Sequence, residues 1–502
     1  MADWFRARLA DPLDEEVPVS QPSMPRRVVV LGCGSVAQCV LPLLLDHFDL
    51  EPGAVTIVES RDNRERVADV LARGVHYDRL TITRENLDDV LSRYVSGGDL
   101  LIDLAWNIGL TELVDWCRSR DVRYLNTSVE VWDPYERPAE VSPQERTLYW
   151  RHMALRRQIA QWESNDGPSA VVEHGANPGL VSHYVKRALS DIADAVLVDG
   201  LLESRHEAIR AARDGGHFNE LAELLEVKSI HVAERDTQIS TRPKEVGEFV
   251  NTWSVDGFFE EGVAPAELGW GTHEKILPPL GREHHGEGPL NQICFAQMAH
   301  KTLVRSRTPS GPIVGMVIRH GEAFTICDHL TVWQDGRARY RPTVHYAYCP
   351  SDAAWASFVE LEGNEYAYPQ RQRIMNDDIV SGRDELGVLV MGHPYRSWWT
   401  GMLTSIEEAR DVAPHQNATT VQVAASILGA VDWLIRFPHE GVRVPDELPW
   451  RDVLAVAEPY VGTTWSGPID WDPVSTHVDW FDRWAGRTYD VDDPWQFTNF
   501  LV

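Results

Sequence analysis

Short hydrophobic runs alternate with longer amphipathic segments over the first third of the chain. Residues 27–31 and 54–58 are rich in valine and predict buried parallel strands, with a helix over residues 36–47 between them. Residues 100–104 and 122–126 predict two more strands, which flank a helix over residues 110–120. Strands that alternate with helices in this way are typical of a parallel sheet with helices on both faces. The sequence therefore predicts an α/β Rossmann domain over residues 26–172.

The turn after the first predicted strand carries a glycine pattern. Residues 32–37 read GCGSVA, the form GxGxxA that lets a backbone approach a pyrophosphate at a helix N-terminus. Glu59 ends the second strand, where an acid binds both ribose hydroxyls and repels the 2′-phosphate of NADP. We therefore expect NAD as the cofactor, bound by Gly32, Gly34, Ser35, Val36 and Glu59.

Loops at the carboxyl ends of the later strands should border the same cofactor. In an open α/β sheet these loops line the nucleotide crevice. Trp106 and Asn107 follow the strand at residues 100–104, and Thr127 and Glu130 follow the strand at residues 122–126. We therefore place these four side chains near the cofactor, with Trp106 and Thr127 as cofactor-binding residues.

Composition narrows the class of protein without changing this outline. The chain has 502 residues, enough for roughly two or three domains. A formal net charge of −29 disfavours binding to nucleic acid or to anionic membranes and permits a cationic substrate. The six cysteines form no CxxC pair, and no histidine or cysteine cluster has metal-site spacing. We expect no metal, no membrane-spanning segment, a cytoplasmic location and a flexible arm over residues 1–25.

A second pattern, in the middle of the chain, is more specific than the glycine motif. Residues 170–173 predict a strand that leads into the sequence GANPG at residues 175–179. Together with IHVAERDTQ at residues 230–238 and FVNTWSV at residues 249–255, it resembles the bacterial homospermidine synthases of the saccharopine-dehydrogenase-like group. Further blocks extend the resemblance to the C-terminus, at residues 265–272, 340–343, 384–388 and 493–497.

The resemblance implies an NAD-dependent enzyme that joins two diamines. Members of this family oxidise putrescine to an imine, release ammonia, add a second amine and reduce the new imine, so that NAD is regenerated. Putrescine and spermidine are the implied substrates, and a homodimer is the implied assembly. We expect an α+β substrate and dimerisation domain over residues 173–400. A C-terminal segment, residues 401–502, should pack back on the Rossmann domain through an apolar helix at residues 420–437.

The resemblance also implies roles for individual side chains. Trp253 matches a tryptophan that faces the substrate, where an indole face holds an ammonium or iminium ion. Glu234 matches an acid that anchors the far amine or accepts a proton, and Asp384 matches an acid deep in the pocket. Asn177 would donate a hydrogen bond to the cofactor or to the reacting centre, and His320 would relay protons. These five are the implied catalytic residues.

Four further positions match residues that bind the diamines. Glu130 and Glu261 match acids along the channel by which amines enter, and Glu322 pairs with His320 near the nicotinamide. Asn107 stands where the family carries an aspartate, so it would border the substrate without a negative charge. Without the resemblance, each of these acids would be interpreted as a surface carboxylate.

Other interpretations stay open at this point. Trp253 is also compatible with a core aromatic, Asn177 with a turn residue and His320 with a structural histidine. Trp106 is bulkier than its counterpart in the family, and His174 replaces a smaller residue before GANPG. Bulk near the pocket mouth would change which amine enters second, so the amine pair is left open.

Two other functions compete with diamine coupling. The first is a conventional dehydrogenase that couples an amine to a keto acid or aldehyde with net turnover of NAD(P)H. Such an enzyme would need a guanidinium for the substrate carboxylate, and Arg235 and Arg341 are the obvious candidates. The second is a non-catalytic NAD-binding protein, which would not need the set of pocket acids with Trp253.

Overall fold

The structure is a computed structural model that describes residues 23–134 and 140–502, so the arm predicted for residues 1–25 lies almost wholly outside the described residues. Over the described residues the strands are β1 (Val28–Leu31), β2 (Val55–Glu59), β3 (His76–Arg79), β4 (Leu100–Asp103), β5 (Arg123–Asn126), β6 (Gly167–Val171), β7 (Ser229–Asp236), β8 (Ile239–Ser240), β9 (Glu248–Asn251), β10 (Pro265–Gly269), β11 (Gly281–Glu283), β12 (Gln292–Met298), β13 (Leu303–Thr308), β14 (Gly311–Met316), β15 (Val332–Gln334), β16 (Arg337–Tyr340), β17 (Thr343–Cys349), β18 (Arg371–Ile374), β19 (Ile379–Ser381), β20 (Arg383–Met391), β21 (Ser397–Ser405), β22 (Glu440–Arg443) and β23 (Thr464–Ile469).

Short 3₁₀ turns aside, the helices of the same residues are α1 (Ser35–His47), α2 (Ala68–Arg73), α3 (Leu87–Tyr94), α4 (Leu110–Ser119), α5 (Leu148–Ala160), α6 (Leu180–Asp199), α7 (His206–Asp214), α8 (Phe218–Leu224), α9 (Val255–Val263), α10 (Glu322–His329), α11 (Asp352–Gly363), α12 (Ile406–Val412), α13 (Ala418–Arg436), α14 (Trp450–Ala457), α15 (Asp482–Ala485) and α16 (Phe497–Phe500).

The N-terminal part is a Rossmann-like parallel sheet, as the hydrophobic pattern predicts. Its strand order is β22-β6-β5-β4-β1-β2-β3, and every neighbouring pair is parallel. All four residues of β1 are buried because the sheet is covered on both faces. Val28 and Val30 pack into the core that contains α1 and α13, while Val29 and Leu31 pack into the core that contains α3 and α4.

A larger mixed sheet forms the rest of the fold. Its main path runs β11-β12-β10-β17-β7-β20-β21-β23, with β13 and β14 attached beside β17. The pair β17–β7 is parallel, whereas β7–β20 and β20–β21 are antiparallel. Strand β20 pairs with β7 along its whole length, so residues about 150 positions apart in the chain become neighbours. This sheet confirms the expected α+β class for the second part of the chain.

The C-terminal part of the chain contributes to both sheets. Strand β22 forms one edge of the Rossmann sheet beside β6, and α13 packs against α1. Helix α13 is long and apolar enough to cross a membrane, but 89% of its most apolar window is buried inside the fold. The predicted packing of this segment on the Rossmann domain is confirmed. The domain bounds stay predictions, and β21 runs across the one set at residue 400.

Candidate functional site

A polar cavity lies where the carboxyl ends of β4, β5 and β6 meet the mixed sheet. Loops of the Rossmann part form one wall, and β7, α9, β17 and the start of α13 form the other. The lining residues are Val36, Leu104, Ala105, Trp106, Thr127, Ser128, Val129, Glu130, Leu148, Arg151, Glu173, Gly175, Ala176, Asn177, Pro178, Glu234, Trp253, Ser254, Gly257, Glu260, Glu261, Arg319, His320, Tyr346, Thr419 and Val423.

The structure brings most of the predicted site residues together at this cavity. Those that line it are Val36, Trp106, Thr127, Glu130, Asn177, Glu234, Trp253, Glu261 and His320. Glu322 and Asp384 lie one layer behind, because Glu322 is bonded to the His320 ring and Asp384 to Thr419. Gly32, Gly34, Ser35 and Glu59 lie on the adjoining turn and the end of β2. Their roles stay predictions, since proximity alone does not assign chemistry.

The turn from β1 to α1 has the shape that a dinucleotide needs. Gly32 has φ +86°, and a Cβ there would lie 2.8 Å from the Leu104 carbonyl oxygen, so glycine is required. A Cβ at Gly34 would meet no atom within 4 Å, which leaves open space at the N-terminus of α1. No side chain caps that terminus, and its first turn carries no acid. The Glu59 carboxylate accepts the Cys33 N–H at 2.7 Å, which fixes the acid beside the turn.

The two glycines should respond differently to substitution. Gly34→Thr should leave the stability of the ligand-free protein nearly unchanged, since threonine and glycine are similarly good N-cap residues, yet it should weaken NAD binding more than about tenfold. Gly32→Ala should instead destabilise the fold by about 1–3 kcal/mol, because its Cβ meets backbone at positive φ. Thermal unfolding without ligand and calorimetric titration with NAD would measure both effects. Full NAD affinity in Gly34→Thr would contradict this site.

Three buried carboxyl groups form a cluster on two adjacent strands. The antiparallel register places Asp384 of β20 opposite Asp236 of β7, with Glu234 two residues away on β7. Glu234 accepts a hydrogen bond from the Tyr346 hydroxyl, and Asp384 accepts one from Thr419 Oγ1 at 2.5 Å. Burial raises the pKa of Glu234 to about 8 and of Asp236 to about 6, and burial together with repulsion from these two acids lifts the pKa of Asp384 well above its usual value. The cluster therefore holds protons near neutral pH, and a bound cation would lower these pKa values and release the protons to solvent.

His320 is enclosed between two glutamates. Its Nδ1 lies 3.2 Å from Glu322 Oε1, and its Nε2 lies 3.2 Å from Glu261 Oε2. Burial lowers the pKa of His320, but the two carboxylates outweigh it and hold that pKa well above the usual value. The ring is therefore an imidazolium that donates from both nitrogens. In this state it supplies a proton rather than accepting one.

Trp253 presents its indole ring to the cavity from the loop between β9 and α9. The next residue, Ser254, caps α9 by accepting the Gly257 N–H at 3.1 Å. A Cβ at Gly257 would lie 2.9 Å from the Trp253 ring, so the glycine makes room for the indole. The ring also packs on Phe258 with 5.6 Å between centroids. These contacts fix the indole, half-buried, in the cavity wall.

Comparisons with known proteins agree with this geometry. Residues 28–171 match the saccharopine dehydrogenase NADP binding domain, and residues 175–463 match the saccharopine dehydrogenase C-terminal domain. Homospermidine synthase of Mesorhizobium japonicum is 37% identical over 484 residues, covering 95% of this chain and 96% of that protein. The chain belongs to the homospermidine synthase family. Homospermidine synthase of Blastochloris viridis is 36% identical over 95% of this chain and 97% of its own.

A solved structure from the same family shares the fold. The crystal structure of homospermidine synthase from Legionella pneumophila in complex with NAD has a TM-score of 0.83 and 35% sequence identity. The match covers 95% of this chain and 98% of that one. The resemblance proposed from the sequence blocks is thus confirmed over nearly the whole chain.

One expectation drawn from the departures within this family is wrong. His174 does not lie near the cavity mouth but is fully buried between α6 and α13. Its Nε2 lies 3.0 Å from the His183 ring, and its Nδ1 lies 2.8 Å from Ser426 Oγ. Burial lowers the pKa of His174 to about 4, so the ring is neutral. The size of His174 therefore bears on core packing and not on which amine enters.

The other two departures lie together on the loop after β4. Trp106 is 37% exposed, lines the cavity and donates its indole N–H to Glu260 Oε2 at 3.2 Å. Asn107 has φ +63° and does not line the cavity. Its Oδ1 is buried without a hydrogen-bond partner among the described residues. Its predicted contact with substrate stays a prediction.

Several cavity residues were missed by the sequence analysis. The most prominent are Arg151, Glu260 and Arg319, which form a buried ion-pair group in the wall. Glu173 was also missed; its carboxylate is paired with His152 at 2.7 Å and faces the cavity from a backbone with φ +63°. Isolated charges in polar segments give no local signal of burial. The sequence offers one hint. Two consecutive ionisable residues directly follow a hydrophobic run both at residues 260–261 and at residues 319–320.

Proposed function

We propose that this protein is an NAD-dependent homospermidine synthase. It would oxidise putrescine to an imine, release ammonia, couple the imine to a second diamine and reduce the product, without net consumption of NAD. The observation that carries the proposal is a cavity that brings Glu234, with the buried acids Asp236 and Asp384 behind it, together with Trp253 and with Val36 of the helix that follows the glycine turn. Membership of the homospermidine synthase family and the NAD bound by the Legionella pneumophila relative support it.

The residues present fit NAD better than NADP. The open space at Gly34 and the uncapped N-terminus of α1 suit a pyrophosphate. Glu59, fixed by the Cys33 N–H, would bind ribose hydroxyls and repel a 2′-phosphate, although the matched domain family is named for NADP. Thr127 and Asn177 would border the nicotinamide end. When bound there, NAD would accept a hydride from the amine-bearing carbon and later return it.

The charge of the cavity supports a substrate with two ammonium groups. Five glutamates line it, against two arginines and the His320 imidazolium, which leaves a formal excess of two negative charges when every glutamate is ionised; the five are Glu130, Glu173, Glu234, Glu260 and Glu261. A primary amine has a pKa near 10.4 and enters as a cation, so putrescine would be attracted at both ends. One ammonium would sit against the Trp253 face and the buried acids, where a desolvated cation–π contact contributes up to ~2 kcal/mol.

Proton transfers in the proposed reaction balance within the site. Oxidation turns R–CH₂–NH₃⁺ into the iminium R–CH=NH₂⁺ with loss of one hydride and one proton. The bound ammonium would lower the pKa of Glu234 so that its proton leaves to solvent, and the resulting carboxylate would accept the proton lost from the amine. A second amine then adds to the iminium carbon, and ammonia leaves as ammonium. Reduction of the new iminium consumes one hydride and one proton, so Glu234 returns what it took.

Asn177 would hold the reacting nitrogen through its amide oxygen, and neither Asn177 nor His320 would remove the proton of that nitrogen. The His320 imidazolium already donates both ring N–H groups to carboxylates, so it offers no acceptor to an amine nitrogen. Asn177 also bonds the Tyr346 hydroxyl, which in turn donates to Glu234. This connected set fixes the geometry of the acid that accepts the proton. The hydrogen bonds therefore favour Glu234 as the group that accepts the proton from the amine.

The conventional dehydrogenase is disfavoured by where the arginines lie. Neither Arg235 nor Arg341 lines the cavity; Arg341 donates to the Trp270 carbonyl at 2.7 Å, and Arg235 lies by Ser310. Arg151 and Arg319 do line it, but both are bound to the same carboxylate oxygen of Glu260. A substrate carboxylate would thus find no unengaged guanidinium among the described lining residues. The homodimer and the cytoplasmic location stay predictions.

Product analysis separates the three functions. The protein would be incubated with putrescine and catalytic NAD, and the mixture analysed for homospermidine and ammonia by mass spectrometry and for NADH by absorbance. Homospermidine and ammonia in equal amounts without lasting NADH is the expected result. NADH that accumulates with putrescine would identify a conventional dehydrogenase, and absence of turnover would identify a binding protein. Adding spermidine as the second amine would show which acceptor is used.

A further inference from the structure

Glu260 lies where three segments of the cavity wall meet. Its Oε1 accepts hydrogen bonds from Arg151 of α5 and from Arg319, which follows β14, each at 2.6 Å. Its Oε2 accepts the indole N–H of Trp106, from the loop after β4, at 3.2 Å. All three charged side chains are at most one-tenth exposed. Glu260 therefore ties the Rossmann part to the mixed sheet at the cavity.

The neighbours of this ion-pair group in the chain are the residues that enclose the proposed reaction. Glu260 and Glu261 are consecutive in α9, and Arg319 and His320 are consecutive after β14. Two ion pairs therefore join the same two segments: Glu260 with Arg319 at 2.6 Å and Glu261 with His320 at 3.2 Å. We propose that Glu260 is a positioning residue that holds the Glu261–His320 pair in place. The role of this pair in a reaction rests on the proposed function, whereas the test below measures the His320 proton and does not depend on that function.

Glu260 itself is suited to hold a charge and not to carry a proton. Burial raises its pKa, but Arg319 and Arg151 outweigh burial and bring that pKa to about 2. It therefore stays ionised at neutral pH. A buried charge with two guanidinium partners in fixed geometry is expensive to move, because breaking either pair leaves an unpaired ion. This rigidity is what positioning requires.

The protonation of His320 depends on several groups that surround it. These are Glu261 of α9, Glu322 of α10, Glu234 of β7, Tyr346 of β17, Asn177 after β6, the adjacent Arg319 and Glu173, which packs against Gly321. Two of the carboxylates make direct contacts and raise the pKa, and one of them, Glu261, is held by the Glu260 pairs. Releasing Glu261, or leaving Arg319 unpaired, would lower the pKa of His320.

The test substitutes Glu260 with glutamine and follows the His320 ring directly. NMR of the holoenzyme with ring-labelled histidine, assigned with His320→Gln, gives the pH at which the imidazolium loses its proton. In Glu260→Gln this pH should fall by about one unit or more, which corresponds to a tenfold change in proton affinity. With putrescine, the alkaline limb of kcat should move to lower pH by the same amount.

Glu248 provides a matched control. It is buried, belongs to β9 and also pairs with two arginines, Arg373 at 2.9 Å and Arg242 at 3.4 Å, but it does not line the cavity. Glu248→Gln should cost comparable stability and leave the His320 titration where it was. If Glu260→Gln does not fold, the double variant with Glu260→Gln and Arg151→Gln removes one charge of each sign. The His320 titration would then be measured in that double variant.

The results separate this inference from the proposed function. An unchanged His320 titration in the folded Glu260 variant would overturn the positioning role, whatever the substrate proves to be. An equal shift in Glu248→Gln would also overturn it, because the effect would then be a general loss of rigidity. A shifted titration in a protein that makes no homospermidine would support the positioning role and contradict the proposed function alone.

Discussion

Replacing Glu234 with glutamine should lower kcat for homospermidine formation by about 10² to 10⁴-fold. Proton transfer by a positioned side chain contributes an effect of this size, and glutamine cannot accept the proton released when the amine is oxidised. The amide has nearly the same shape, and its oxygen can still accept the Tyr346 hydroxyl. Steady-state kinetics with putrescine, and absorbance of NADH formed on first mixing, would measure the loss in the overall reaction and in its first half.

The same substitution should not harm the fold at alkaline pH. The raised pKa of Glu234, about 8 against an ordinary 4.5, means that the folded protein holds a proton that the unfolded chain releases. The free energy of unfolding therefore falls as pH rises from about 4.5 towards 8, and Glu234→Gln removes this fall. We expect the variant to be at least as stable as the parent near pH 8. A loss of activity there would then report chemistry and not unfolding.

Asp236→Asn is the matched control for Glu234→Gln. Asp236 is a buried acid of the same strand, bonded to Thr252 at 3.0 Å and to Gln238, but it does not line the cavity. Its substitution should lower kcat by less than about tenfold, since it acts only through charge on its neighbours. A Glu234→Gln variant that keeps more than a tenth of the parent rate would contradict Glu234 as the proton acceptor.

Trp253→Leu should be the second most damaging change. A desolvated cation–π contact is worth ~2 kcal/mol, so its loss should lower kcat/KM for putrescine by about 30-fold. Leucine keeps an apolar surface but offers no π face to an ammonium or iminium ion. NAD affinity should be unchanged, because Trp253 belongs to the β9–α9 loop and not to the β1–α1 turn. Kinetics with putrescine and calorimetry with NAD would measure the two effects.

Trp253→Phe separates the π face from the packing of the indole. Phenylalanine keeps a weaker π face and loses some contact with Phe258 and Gly257. Its activity should fall between those of the parent and the leucine variant. If leucine and phenylalanine variants are equally impaired, the tryptophan acts through its size; a fully active Trp253→Leu would rule out the cation–π assignment altogether.

The Rossmann part of the fold is predictable from the sequence because its signals are local. Each of β1, β2, β4 and β5 is a short buried run, and the glycine turn and Glu59 are placed by spacing within one βαβ unit. Helix α13 is equally recognisable as an apolar segment, since it is almost wholly buried. Boundaries differ by a few residues; the strand expected at residues 170–173 is β6, Gly167–Val171.

The mixed sheet and much of the site are not predictable in this way. Glu234 and Asp384 meet only because β7 and β20 pair, and no local pattern records that pairing. The same holds for Arg151, Glu260 and Arg319, which come from three separate elements. Family resemblance pointed to Glu234 and Asp384 because family members carry such acids, whereas it was silent about the ion-pair group. His174 shows the opposite error: it was expected near the cavity mouth because it precedes the GANPG motif, yet a residue next to a motif need not face the site.

The central claim is that NAD lends a hydride and returns it to the same carbon. The most direct measurement is the mass of homospermidine made from putrescine deuterated at both amine-bearing carbons, in the presence of excess unlabelled NAD and NADH. The account predicts that the product keeps all the deuterium of two putrescine molecules, because the transferred deuteride never leaves the site. Homospermidine lacking one deuterium, with label found in free NADH, would show that the cofactor exchanges between half-reactions and would contradict the account.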